Sequence, residues 1–399
     1  MLTTVETLTE AAINKPEKDF MISIIRVFGN FLCALAVPLL FAPALVFGAE
    51  SRPGWQADWD KTVKAAEEEG GLNIYMTSAF ESVFREAFQK KFPKIKVSTV
   101  VGRGFQLGQR VMNERRGDKY IPDLCITGNI TPLTVFHKAK ILEPIKPLLV
   151  WPEVVNESVW YDRKHNYNDP EGRYIFVFEG TPRAGDITFN TKMVNANEIR
   201  SYWNLLDPKW KGKIVTIDPL VAGPINTPQI YFYKHPDLGP EFLRRLYAET
   251  DMTVVRSDDQ LIDWLSTGRY ALGFGARDVD KAISQGLPVN QFVSNHMKEG
   301  ASLATYNGTL SFFNRAPHPN AAKVAVNWLL SKEGQSIWLD HNARTFGQYD
   351  SLREDIAKDK VLDSAKRVKG GRYLWIKTEW IEELDTIREL IKKALPAKS

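Results

Sequence analysis

The sequence predicts an α/β protein of two lobes, and three observations lead there. Strand–helix alternation runs twice along the chain, over about 71–127 and again over about 213–285. About 350 residues follow an apolar leader, too many for one ordinary core and comfortable for two. No short-period repeat or low-complexity tract offers a different architecture. Strand–helix–strand units of this kind imply parallel sheets whose loops gather at one edge, here facing each other across a cleft.

Trp55–Glu69 is helical in pattern and stops at Gly70-Gly71, since glycine takes the left-handed exit of a helix without steric penalty. Leu72–Met76 reads as a strand, followed by the corner Thr77-Ser78. Ala79–Phe92 then places Val83, Phe84, Ala87, Phe88 and Phe92 on one helical face. Ile95–Val101 is a second strand, Gln106–Arg116 a helix and Asp123–Thr127 a third strand. Ile175–Phe178 and Asp186–Phe189 are strand-like around Gly180-Thr181-Pro182. Tyr202–Leu206 is a short helix, and Lys213–Asp218 restarts the alternation. It continues through helix Glu241–Tyr247, strand Thr253–Val255, helix Asp258–Ser266, strand Tyr270–Phe274 and helix Asp278–Gln285. A strand lies within Ala301–Asn314, and helices follow at Ala321–Leu330, Lys332–His341 and Thr378–Ala394.

From Met21 the chain has one basic residue, Arg26, then an apolar run with no charge before Glu50, ending in Val46-Phe47-Gly48-Ala49. A basic lead, an apolar segment and a small-residue exit form a secretory signal peptide over 21–49. Pro38 and Pro43 each remove a backbone donor and argue against a retained membrane span. Residues 1–20 are polar and acidic, so translation is expected to begin at Met21, with 1–20 a non-native extension. The chain carries 52 basic and 48 acidic residues, a net charge of +4 spread without a basic stripe, which speaks against nucleic acid as a partner. Of two cysteines, Cys33 lies in the leader. Cys125, in the apolar run Asp123–Thr127, reads as a small core residue.

Four segments resemble the family-1 extracellular solute-binding proteins, receptors of ABC importers often described as ferric-iron binders. They are LNIYMTSAFESVFREAFQKKFPKIKV (72–97), DITFNTKMV (186–194), YWNLLDPKWKGKIVTIDPLVAG (202–223) and NRAPHPNAAKVAVNWLLSKEGQ (314–335). The resemblance spans nearly all of 55–345. It implies the type II periplasmic binding protein fold: two α/β lobes joined by two crossing strands, mapped to about 184–190 and 302–313. Lobe 1 is then 55–185, completed by 305–399, and lobe 2 is 190–300. The resemblance also implies a periplasmic, monomeric receptor that hands a small-molecule solute to an ABC permease in the inner membrane.

In open α/β lobes ligands sit beyond the carboxyl ends of the strands, where helix N-termini offer free N–H groups. Thr77 and Ser78 occupy one such corner, although Ser78 there also suits a helix cap. Arg103, between two glycines, can grip an oxyanion through two N–H groups. Asn129 ends the third strand. Gly223 and Asn226 can form an opposing cradle in lobe 2, Arg277 occupies another strand exit, and Tyr306 lies near the second crossing. His318, set between prolines, reads as part of a turn.

Ferric-binding members of the family carry adjacent tyrosines just after the strand equivalent to Tyr270–Phe274. Here that place reads GFGARDVDKA, and the pair Tyr231 and Tyr233 lies earlier. The six histidines show no short ligand spacing. No metal, cofactor or catalytic residue is therefore expected, and the preferred solute is a small organic anion or oxyanion. Alternatives are an iron or iron-chelate carrier, a ligand sensor for a signalling partner, and a cysteine-dependent transferase on the same fold.

Overall fold

The computed structural model describes residues 54–396 except 222, 224, 277–278 and 346–348. The proposed extension 1–20, the leader 21–49 and the candidate site residue Arg277 lie outside the described residues. What is described belongs to one unit, Ala49–Ser399. In chain order the strands are β1 Gly71–Met76, β2 Lys96–Val101, β3 Leu124–Thr127, β4 Leu142–Glu143, β5 Asn166–Tyr167, β6 Ile175–Val177, β7 Thr181–Arg183 and β8 Ile187–Asn190. They continue with β9 Ile214–Ile217, β10 Thr253–Val255, β11 Leu272–Phe274, β12 Val289–Gln291, β13 Ala301–Ala304, β14 Thr309–Phe313 and β15 Tyr373–Trp375. The helices are α1 Trp55–Glu69, α2 Gln89–Lys91, α3 Gly104–Arg116, α4 Pro152–Val155, α5 Asn226–Lys234, α6 Gly239–Glu249, α7 Asp258–Ser266, α8 Val279–Ser284, α9 Pro319–Leu330, α10 Lys332–Thr345 and α11 Leu384–Ala394.

Lobe 1 holds a sheet ordered β2-β1-β3-β14-β6-β5, with β4 on β14; lobe 2 holds β10-β9-β11-β8-β12. The strand–helix–strand runs give parallel neighbours as expected: β2, β1 and β3 in one lobe, β10, β9 and β11 in the other. Each sheet is nevertheless mixed. β14 runs antiparallel to β3, and β8 antiparallel to β11. The reason is where these two strands enter: both come from the other lobe and start at the edge where their parallel neighbours end.

Between the lobes, β7 pairs antiparallel with β13, and β15 adds in parallel to β13, making a separate three-stranded ribbon. The two chain crossings therefore run through 181–187 and 301–309. The expected segments, about 184–190 and 302–313, extend into β8 and β14, which belong to the lobe sheets.

Apolar burial explains why each lobe holds. In lobe 1 the α9 face beneath the sheet places Trp328 against Phe84 and Phe88, with ring centroids 5.6 and 5.3 Å away. The stretch expected as one amphipathic helix, Ala79–Phe92, keeps that apolar face. It winds as a tight turn over Ser78–Phe80, a widened turn over Val83–Phe88, then α2. In lobe 2, Tyr202, Tyr231, Phe232 and Phe242 form an aromatic cluster. Tyr231 and Tyr233 thus sit on helix α5, and Tyr231 is core.

The chain end departs from the expected partition. The resemblance places all of 305–399 with lobe 1, whereas Ile376, Leu384, Ile387 and Ile391 join the core of lobe 2. The physical cause is the apolar stripe of α11, which finds its complement on α6 and α5. Among the described residues no helix is long and apolar enough to cross a membrane.

Candidate functional site

A cavity of about 500 Å³ opens where the strand ends of both lobes meet the ribbon. Lobe 1 supplies Thr77, which follows β1, Arg103-Gly104-Phe105 at the start of α3, and Thr127–Thr131, from the last residue of β3 onward. Lobe 2 supplies Gly223, Asn226, Thr227 and Ile230 around the start of α5. The returning chain adds Ala304–Asn307, and the C-terminal segment adds Ile376, Ile381 and Leu384. The structure thus brings together Thr77, Arg103, Asn129, Gly223, Asn226 and Tyr306. Ser78 is exposed and outside this lining, and no side-chain bond caps its turn.

Local folding fixes several of these groups. The Gln106 side chain accepts the Arg103 backbone N–H at 3.0 Å, closing the start of α3 and leaving the guanidinium outside it. Arg103 has no ion pair among the described residues, and it is exposed. Gly128 is there because of a close approach: a Cβ on it would stand 2.5 Å from the Tyr306 carbonyl oxygen.

The loop 306–308 is held by a buried carboxylate. Glu179 Oε2 accepts the backbone N–H groups of Tyr306, Asn307 and Gly308 at 3.0, 2.7 and 2.8 Å, and Thr181 donates to Oε1 at 2.7 Å. Burial pushes the Glu179 carboxyl above the usual carboxylate range, and these hydrogen bonds pull it back only in part. Burial likewise drives the Tyr306 phenol far upward, assisted by Asp186 and opposed by Arg183, so the phenol is neutral at physiological pH.

Among the described residues, two polar atoms in this lining are buried without a hydrogen-bond partner: Thr77 Oγ1 on lobe 1 and Asn226 Oδ1 on lobe 2. Unsatisfied buried polar atoms are uncommon and each one calls for an explanation. Asn129 is less free. Its Nδ2 donates to Thr378 Oγ1 at 2.8 Å, Thr378 donates to Asn168 Oδ1 at 2.7 Å, and Asn168 Nδ2 donates to the Asn129 carbonyl at 2.8 Å. This closed ring ties lobe 1 to the segment that continues into α11 on lobe 2.

Other groups singled out in the sequence have structural roles. His318 Nδ1 lies 2.9 Å from Asp123 Oδ2, and its backbone N–H donates to Asp123 Oδ1 at 2.7 Å, fastening the entry of α9 to β3. Cys125 is fully buried and its thiol is pushed up by desolvation. His137, Asp169 and Glu171 come together, and none of them lines the cavity. Both Asp169 oxygens there already accept backbone N–H groups, from Arg173, Tyr174 and Ile175.

Several lining residues escaped the sequence reading: Phe105, Ile130, Ile230, Ile376, Ile381 and Leu384. A signal existed for two, because Phe105 and Ile130 directly adjoin candidate strand exits yet are apolar.

The family profile described as bacterial extracellular solute-binding protein matches residues 119–367. The chain belongs to that family. Among solved structures it resembles IdiA (FutA) of Trichodesmium, described as in complex with iron and citrate ligands, at 17% identity and TM-score 0.58, covering 82% of this chain and 99% of that one. It also resembles the periplasmic binding protein AfuA of Actinobacillus pleuropneumoniae, described with fructose-6-phosphate bound, at 20% identity and TM-score 0.52, covering 81% and 97%. These likenesses establish the two-lobed periplasmic binding protein fold in this member of the solute-binding family. A curated relative, Iron uptake protein A1 of Synechocystis sp., is 27% identical over 121 residues. That match spans 30% of this chain and 30% of the relative's length.

Proposed function

We propose that this protein is the periplasmic solute-binding component of an ABC importer, capturing a small organic anion or oxyanion between its lobes. The observation that carries the reading is the cavity, lined from both lobes at their strand ends and across the ribbon. A solute held there touches both bodies at once, so binding energy favours closure about the crossing segments. A closed, loaded form is what a permease in the inner membrane would receive. Export by the leader 21–49 and a monomeric state complete this reading.

Iron carriage is the second reading, supported by relatives described as iron proteins. The described lining holds no carboxylate and no imidazole, and its one phenol, Tyr306, is held neutral. Hard ferric iron prefers anionic oxygen ligands, so this lining suits it poorly. A cysteine-dependent transferase needs an accessible thiolate, whereas Cys125 is buried with its thiol pushed up. A ligand sensor would use the same cleft with a different partner.

Isothermal titration calorimetry against organic anions, inorganic oxyanions and ferric citrate tests the proposal. One-to-one binding of an organic anion or oxyanion supports it. A ferric complex with phenolate charge-transfer absorbance would replace it with the iron reading.

A further inference from the structure

We infer that the cleft takes an organic oxyanion carried on an apolar body, a conclusion that rests on the solute-binding reading and narrows it. The cavity offers two unlike surfaces side by side. One is cationic: Arg103 is the only charged side chain in the described lining, and no carboxylate opposes it. The other is apolar: Phe105, Ile130, Ile230, Ile376, Ile381 and Leu384.

Two of these apolar groups stand in water. Phe105 is 59% exposed and Ile130 48% exposed, although both sit at the edge of a lobe whose other large apolar residues are mostly packed away. One exposed apolar side chain is ordinary, but two large ones lining the same cleft form an apolar patch of the kind that marks a ligand-binding groove. Phe105 lies two residues beyond Arg103 at the start of α3, so a charged head gripped by the guanidinium would set its body against the ring. Ile230, Ile376, Ile381 and Leu384 supply the facing wall.

Size and polarity point the same way. A cavity of about 500 Å³ falls in the usual range for organic ligands and is far larger than an inorganic phosphate or sulfate needs. Such an ion would leave the apolar wall wet. Polyamines require carboxylates that the described lining lacks. Thr77 Oγ1 and Asn226 Oδ1, from opposite lobes and without partners among the described residues, suit a hydroxyl on the solute, which would donate its one hydrogen to Asn226 Oδ1 and accept from the Thr77 hydroxyl.

Calorimetry on the mature protein separates the components. The probes are phenylacetate, benzenesulfonate and phenyl phosphate; the neutral phenylacetamide; the body-free acetate and phosphate; and spermidine and ferric citrate. At least one phenyl anion is expected to bind tenfold or more tightly than phenylacetamide and than acetate or phosphate. The Arg103→Gln variant should lose about 10–100-fold affinity for that anion and little for the amide, as expected on removing a charge-assisted contact. Phe105→Ala should weaken the phenyl anion about tenfold and leave acetate unchanged.

Equal binding of phosphate or acetate, equal binding of the amide, or indifference to Arg103→Gln would overturn the inference. Binding confined to spermidine or ferric citrate would overturn it while the solute-binding reading stands. Absence of binding by every probe, with folding confirmed by circular dichroism, would count against both.

Discussion

Replacing Glu179 asks whether an internal carboxylate shapes the wall of the cleft through its acceptor geometry or through its charge. Glu179 is fully buried, and four donors converge on it, three of them backbone N–H groups of the loop 306–308. Removing the acceptor with Glu179→Ala strands those donors, each worth about 1–3 kcal/mol when left buried and unpaired. Water entering the vacated space satisfies some of them, so a net loss of about 3–6 kcal/mol is expected. Glu179→Gln keeps an oxygen for the three N–H groups and gives up the charge. Because burial already outweighs the hydrogen bonds and raises this carboxyl, losing the charge should change stability by only about 1 kcal/mol.

The sign with pH follows from the same shift. A carboxyl raised in the folded state contributes its stabilisation below the ordinary carboxylate pKa and loses it as pH rises through the folded value. The neutral amide has no such dependence. Urea unfolding of both variants and the parent protein at pH 5 and pH 8 is the assay. The Gln variant should gain on the parent as pH rises, and the Ala variant should be the less stable one at both values. If Gln proves as damaging as Ala, charge and not acceptor geometry holds the loop. If Ala is neutral, the loop does not depend on Glu179 at all.

Two further outcomes follow from hydrogen bonds other than the proposed grip on a solute. Thr378→Val opens the ring with Asn129 and Asn168 and should lower stability by about 1–3 kcal/mol in urea unfolding. The exposed neighbour change Glu379→Ala serves as a control expected to be silent, and equal effects of the two would contradict the role given to the ring. His235 Nε2 lies 3.0 Å from the Glu299 carbonyl and its Nδ1 accepts the Asp237 N–H at 3.1 Å, which fits only a neutral ring. Burial lowers its pKa, so its contribution is intact above the ordinary value of 6.5 and fades as pH falls toward the folded value. Stability should therefore drop on acidification below about pH 6.5 in the parent by more than in His235→Gln. A parallel pH dependence in both would remove His235 from the account.

Sequence periodicity revealed much of this fold because most of its contacts are local or face-directed. The apolar spacing of Val83, Phe84 and Phe88 marks a buried face, and the structure packs that face on Trp328. Six candidate residues share one cavity because the rule that loops at strand ends face the ligand is a property of parallel sheets. The chain end was not legible for a definite reason. Leu384, Ile387 and Ile391 announce that a face of α11 is buried, but periodicity does not say against which lobe. The Glu179 clamp was invisible too, since its bonds to the cleft loop span 127 to 129 residues of sequence. Phe105 and Ile130 carry no polar group, so nothing in the sequence separates them from core residues until the structure shows them exposed in the cleft.

The proposed capture of an organic anion in the interlobe cleft, gripped through Arg103, would leave a trace on the protein as its host makes it. Native mass spectrometry of the protein isolated from its own host, beside its Arg103→Gln variant produced the same way, tests it most directly. A one-to-one small-molecule adduct is expected on the parent protein, identified after denaturation as an organic oxyanion and strongly depleted in the variant. A ferric ion as the adduct, or an adduct retained undiminished by Arg103→Gln, would contradict it.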